Sequence, residues 1–355
     1  MDLTKRIQRC QAFLEDKRPG QVLLCINYTP DKWSVGTARA GMDLREYDFS
    51  SMDEHRRFWD AAARHILADL EAHEGIEDEW VPVVEPFYGY GSFAAPFSDC
   101  ELTFTVDTSY STHPLGSLDD LGSLSLNADR FWRRVFRECA GYLSEQSQGR
   151  FFINPFPQPS PLDLANLLRG NEIFTDLALE PEKSCQLLGL CTDAINRYVA
   201  ELQGLIAPGL PGRACFGRWY PGGPLLLEDA GDMISCDMFR DFVAPHTGNV
   251  LKTAGGGYLH HHSLGRHQYR NVASLNALSV QQISSDPNER RPARELDYVI
   301  AQAGHNVVDL EVSFDEVRAN IDRFKQGRFI LGLNVDNKEE AEAIVAFVRR
   351  HYPAA

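Results

Sequence analysis

At 355 residues, 43% hydrophobic and 24% charged, the chain has the composition of an ordinary globular protein, long enough for one large barrel or two smaller domains. A formal net charge of −15 excludes a broad electropositive footprint, so neither nucleic acid nor an anionic membrane surface is an expected partner. Eight cysteines with no CxxC pair and no regular spacing exclude a disulfide framework or a zinc ribbon and fit a reducing, cytoplasmic setting.

The first residues, MDLTKRIQRCQAFLEDKRPGQ, read as a polar amphipathic helix and not as a targeting signal. No apolar run approaches the ~20 residues that span a bilayer. Eight short β-rich runs follow: Gln21–Asn27, Val81–Glu85, Phe151–Asn154, Leu225–Asp229, Tyr258–His262, Ser279–Ile283, Val307–Leu310 and Phe329–Leu333. Helical periodicity separates them, for example over Glu182–Leu202, Ser235–Thr253 and Lys338–His351. Short apolar strands alternating with helices predict an α/β fold, a TIM-type (β/α)8 barrel, with a doubly wound sheet as the competing arrangement.

Two connections exceed a simple crossover. Residues 86–127 contain an alternating stretch, Glu101–Asp107, that predicts a hairpin, and residues 155–222 hold several helices and a Gly/Pro-rich loop, Phe216–Pro224. Each follows a strand end, so the barrel reading lays both insertions over the carboxyl-end face. No linker, repeat or low-complexity tract divides the chain, and one domain over residues 1–355 is expected. The run Arg290, Arg291, Arg294 reads as a solvated loop or helix start.

In such a fold the polar residues at carboxyl ends of strands are the candidates for chemistry, because the strand fixes the base of each side chain. They are Asn27, Tyr28, Glu85, Tyr88, Asn154, Glu228, Asp229, His260, His261, His262, Gln281, Gln282 and Glu311. The strongest feature is GGGYLHHHSLGRH, residues 255–267. Strand alternation sends His260 and His262 to one face and His261 to the other. Two imidazoles on one face can share a metal such as zinc, or divide the roles of base and substrate ligand; the plain alternative is a set of hydrogen-bonded strand-end residues. His267 lies five residues beyond His262 as a further substrate-binding candidate.

Next comes LLLEDAGDMIS, residues 225–235, where Glu228 and Asp229 offer proton handling or a cation ligand. Only one of the two need face the site, and Asp232 or Ser235 can serve simply as a helix cap. EPFYGYGSFAAPF, residues 85–97, is aromatic and glycine-rich, and Tyr88, Tyr90 and Phe93 are expected to wall a ligand unless they pack the loop itself. Asn154 precedes a proline-rich turn and is a candidate donor to substrate. There is no GxxxxGK[ST] loop, HExxH or GxSxG, and the GGG of residues 255–257 precedes its strand, so it is no dinucleotide fingerprint.

Four stretches, SPLDLANLLRGNEIFTDLALEPE (160–182), LLLEDAGDMISCDMFRDFVAPH (225–246), the block 255–267 and FILGLNVDNKEEAEAIVAFVRRHYP (329–353), together resemble the uroporphyrinogen-decarboxylase-like superfamily. The resemblance implies a barrel with its site at the carboxyl-end mouth and either decarboxylation or methyl transfer to or from corrinoid proteins. The decarboxylase's arginine-bearing motif is replaced here by QVLLCINYTP, and its tyrosine after the third strand by Asn166 or Leu167. The zinc site of thiol-activating members, His-x-Cys with a late Cys, is matched only in spacing by His260-x-His262, and the late position reads GLNVD.

The resulting expectation is a methyltransferase moving a methyl group from a small methylated substrate to a corrinoid protein. Glu228, Asp229, His260 and His262 are its catalytic candidates, and His260, His262 and Glu228 its candidate zinc ligands. A decarboxylase or other carbon–carbon lyase, which requires cations in the pocket, is the runner-up, and a non-catalytic binding barrel the third reading. A homodimer is the expected assembly.

Overall fold

The structure, a computed structural model, describes residues 2–28, 43–206 and 209–353. Nine parallel strands carry the fold: β1 Gln21–Tyr28, β2 Val83–Val84, β3 Phe152–Ile153, β4 Gln158–Pro159, β5 Leu225–Leu227, β6 Tyr258–His262, β7 Val280–Ser284, β8 Val307–Glu311 and β9 Arg328–Val335. Seven form one sheet in the order β1-β9-β8-β7-β6-β5-β4, and β2 pairs with β3. All eight runs expected from the sequence are strands. The additional one, β4, contains Pro159, which lacks the N–H of a ladder donor and gives no strand signal.

Helices fill the connections and bury the outer faces of the strands. The longest, Pro181–Leu205, begins with proline at a position where the missing N–H costs nothing, and sinks Leu187, Leu188, Ala194, Ile195 and Tyr198 into the core. The expected Ser235–Thr253 helix runs as Cys236–Met238, a wider π turn Phe239–Val243, and Ala244–Thr253. Pro245 cannot donate to the preceding turn, which accounts for the widening just before it. The expected hairpin is present as Leu102–Phe104 against Ser109–Ser111. Arg290, Arg291 and Arg294 are engaged by Glu295 and Glu316 at 2.7–3.4 Å. No helix of the described residues is long and apolar enough to cross a membrane.

Between β1 and β2, side chains take the place of a ladder. The Leu24 and Ile26 N–H groups donate to Glu79 Oε2 at 2.9 Å and Asp78 Oδ2 at 2.7 Å, and the Glu79 N–H returns a bond to Leu24 O at 2.7 Å. Arg6 and Arg9 of the first helix, Leu3–Glu15, neutralise those two carboxylates. A second hairpin, Arg213–Cys215 against Arg218–Tyr220, reaches the same gap, where Gly217 O accepts from Val81 N–H at 3.0 Å. The sequence reading of this segment as a loop missed the hairpin, because its strands are three residues long and flanked by Pro and Gly.

Candidate functional site

In β6, Tyr258, His260 and His262 share one face, called inner here, while Leu259 and His261 point outward. His261 is buried, accepts from the Gln281 side-chain amide at 2.9 Å and meets Tyr269 edge-on at 5.4 Å. Burial, reinforced by the neighbouring imidazoles, drives its pKa down to about 3, so it is a neutral structural residue.

The inner-face pair is organised from behind. Gln282 Oε1 stands 2.6 Å from His260 Nδ1, and Asp286 Oδ1 stands 2.8 Å from His262 Nδ1. A carbonyl and a carboxylate only accept, so each Nδ1 carries the hydrogen and each Nε2 presents a lone pair. These two Nε2 atoms face one another at 3.1 Å. Asp229 Oδ1 joins them at 3.5 Å from His262 Nε2 and 3.8 Å from His260 Nε2, and it is buried without a hydrogen-bond partner.

Three acceptors thus converge with no donor among the described residues, an arrangement that a cation satisfies. Two nitrogens bound to one tetrahedral zinc at 2.0–2.1 Å stand roughly 3.3 Å apart, close to the separation seen. Imidazoles whose other nitrogen is tied to a carboxylate or carbonyl are the usual form of a metal-ligating histidine. Asp229, His260 and His262 therefore fit a divalent metal. Burial holds the His260 pKa below its ordinary value; Asp229 opposes the shift and His262 adds to it, which keeps the ring in the metal-binding neutral form.

The structure seats Asp229, and not Glu228, against the imidazoles. β5 ends at Leu227, and beyond it the Glu228 carboxylate turns toward the helix Ala244–Thr253, accepting from the Thr247 hydroxyl at 2.8 Å. Burial, then the nearby Asp163, raises the Glu228 pKa well above the carboxylate range. Asp163 is buried as well, and accepts from the Tyr90 hydroxyl at 2.6 Å, the Ser160 hydroxyl at 2.8 Å, and the backbone N–H groups of Asp229 and Ala230 at 3.3 and 3.2 Å. It therefore anchors the segment that carries Asp229. Asp232, mostly buried near Asp229 and Asp286, has its pKa pushed up to about 8 by burial and by those charges. Ser235 is the helix cap, accepting from Met238 N–H at 3.1 Å.

The other expected site residues divide. Glu85 accepts from Asn154 Nδ2 at 2.9 Å and from Phe216 N–H at 2.7 Å, so Glu85 and Asn154 bind the second hairpin's tip. Asn27 donates to Asn334 at 3.0 Å across the β1–β9 pair, and the Tyr28 ring stands 6.0 Å from that of His73. Of the expected aromatic wall, Tyr90 reaches Asp163, but Tyr88 and Phe93 are each 1% exposed and offer a ligand no surface. Tyr88 bonds Trp59 and His55 at 2.6 and 3.0 Å, and Phe93 packs on Phe156 at 5.6 Å. His267 Nε2 bonds Ile234 O at 2.9 Å and holds two loops together.

Sequence reasoning missed Asp286, Asp163 and Phe216. Asp286 lies two residues past the end of β7, so the strand-end rule extended slightly would have found it. Asp163 reads as an ordinary first-turn acid of the helix Pro161–Arg169. Among the described residues no free cation of the kind decarboxylation requires is seen on this cluster: Arg218, 1% exposed on the inner face, is paired with Asp309 at 3.0 Å.

No family model matches the chain, and no curated protein sequence matches it. Among solved structures, a methyltransferase from Methanosarcina mazei superposes over 97% of this chain and 98% of its own, with a TM-score of 0.62 and 13% sequence identity. At that identity the likeness is one of fold: this chain is built, almost end to end, like that methyltransferase.

Proposed function

We propose that this chain is a metal-dependent methyltransferase that removes a methyl group from a small methylated oxygen or nitrogen compound and passes it to a corrinoid carried by a partner protein. The observation that carries the reading is the donor-free convergence of Asp229 Oδ1 with the Nε2 atoms of His260 and His262. The methyltransferase-like fold supports it, as does the position of these residues at carboxyl ends of strands in what we take to be one (β/α)8 barrel.

A divalent metal such as zinc, when bound, supplies a Lewis acid that stabilises charge on the leaving atom. Asp229, His260 and His262 would hold it; Gln282 and Asp286 fix the two imidazoles; Asp163 and Tyr90 fix the backbone of Asp229. The methyl–oxygen or methyl–nitrogen bond would break with its electron pair left on that atom, and a reduced corrinoid on the partner would supply the electron pair for the new bond to the methyl group, so no external oxidant or reductant would be required.

The test pairs elemental analysis of the purified protein with an assay for methyl–corrinoid formation from methylated alcohols, ethers and amines. Near-stoichiometric metal, lost in His260→Ala and His262→Ala together with methyl transfer, is the expected result. A metal-free protein that tolerates both substitutions would overturn the reading.

A further inference from the structure

The second hairpin turns through only two residues, Phe216 and Gly217, both at positive φ, +50° and +77°. Two-residue turns of this kind favour Asn-Gly, since a short polar side chain tolerates left-handed backbone and a bulky one is strained there. Phe216 is therefore placed against its own backbone preference. Its surroundings enforce the conformation. Glu85 accepts from its N–H, the Arg218 guanidinium donates to its carbonyl, and Gly217 lies so close to Trp80 that a Cβ would collide with the indole.

The strain delivers a ring to the metal cluster. The Phe216 ring centroid stands 5.8 Å from that of His260 and 6.2 Å from that of Tyr258, tilted 47° and 57°, and the side chain is half-buried. Asn or Gly would relieve the turn but give up the ring's contacts with His260, Tyr258 and the main hydrophobic cluster. Backbone strain held in place by several partners is characteristic of functional sites. The ring itself carries no charge and no hydrogen-bonding group, so what it can offer a ligand is an apolar face.

We propose that Phe216 is a specificity-determining residue: its ring is the apolar wall on which the methyl or aromatic face of a small substrate lies, with the substrate's heteroatom turned toward Asp229, His260 and His262. The assignment of the reaction rests on the methyltransferase reading above; the contact itself does not.

The test uses the full-length purified protein with anisole as the probe, read by ligand-observed NMR, alongside thermal unfolding and metal analysis. Anisole should bind the wild type. Phe216→Asn should weaken anisole at least fivefold while leaving metal content unchanged and the protein folded. Phe216→Leu should retain most of the anisole binding. Undiminished anisole binding by Phe216→Asn, or no anisole binding by the wild type, would each overturn the proposal. A metal-free wild type that still binds anisole through Phe216 would sink the metal-dependent reaction and leave this contact standing.

Discussion

Asp286 takes the Nδ1–H of His262 at 2.8 Å with one oxygen, and with the other takes the Leu264 N–H at 2.7 Å and the Ser263 hydroxyl at 3.0 Å. One carboxylate on the loop after β7 thus sets both the tautomer of a β6 imidazole and the path of the chain beyond it. Gln282 does the first of these for His260 from the adjacent register position, since the two residues are Cα partners in the β6–β7 pair.

Removing these supports leaves the ligands present but unoriented. Asp286→Ala and Gln282→Leu are each expected to weaken metal binding 10–100-fold, whereas Gln282→Glu, which keeps an acceptor, should stay close to wild type. Competition titration against a chromogenic chelator measures the affinities. Equal affinity in all four proteins would show that the imidazoles need no such orientation.

The buried His261 makes stability depend on acid. Its pKa falls from the ordinary 6.5 to about 3 in the folded chain, so below pH 6.5 the unfolded chain binds a proton that the folded one refuses. The His261 contribution is fully present above pH 6.5 and is lost progressively down to about pH 3. His261→Gln, which can still accept from Gln281, should lose less stability than wild type over that interval, by on the order of a few kcal/mol. Chemical denaturation at pH 7 and pH 4 gives the difference; parallel losses in both proteins would refute it.

Gly332 on β9 meets the guanidinium of Arg218, and a Cβ there would collide with it. Arg218 cannot withdraw, because it is enclosed and ion-paired with Asp309, whose carboxylate also takes the Tyr258 hydroxyl. Gly332→Ala is therefore expected to destabilise by about 1–3 kcal/mol, read as a melting point lowered by several degrees. An unchanged melting point would mean that the inner face has slack the packing does not show.

The strands were legible because buried parallel strands are short apolar runs between helical periodicities, and each of the eight runs read that way is in the fold. The histidine alternation was legible for the same reason: β6 is regular through His262, so the period of two holds. It did not by itself choose between Glu228 and Asp229, because that choice needs the register of β5 on β6: Leu227 lies opposite His260 and the Glu228 N–H still bonds His260 O at 2.9 Å, so the alternation carries Asp229 to the inner face and Glu228 to the outer one. Tyr88 and Phe93 misled because an aromatic, glycine-rich loop looks alike whether its rings line a ligand or fill a core.

From the sequence alone came an acidic chain of alternating strands and helices with a histidine pair at one strand end, all properties written in composition and in periods a few residues long. The tertiary structure alone decided that Asp229 joins that pair, that Gln282 and Asp286 orient it, and that Phe216 is carried to its side on a strained turn. Each of those contacts joins residues between 22 and 44 positions apart, beyond the reach of any local period. Only the packing of the strands brings them together.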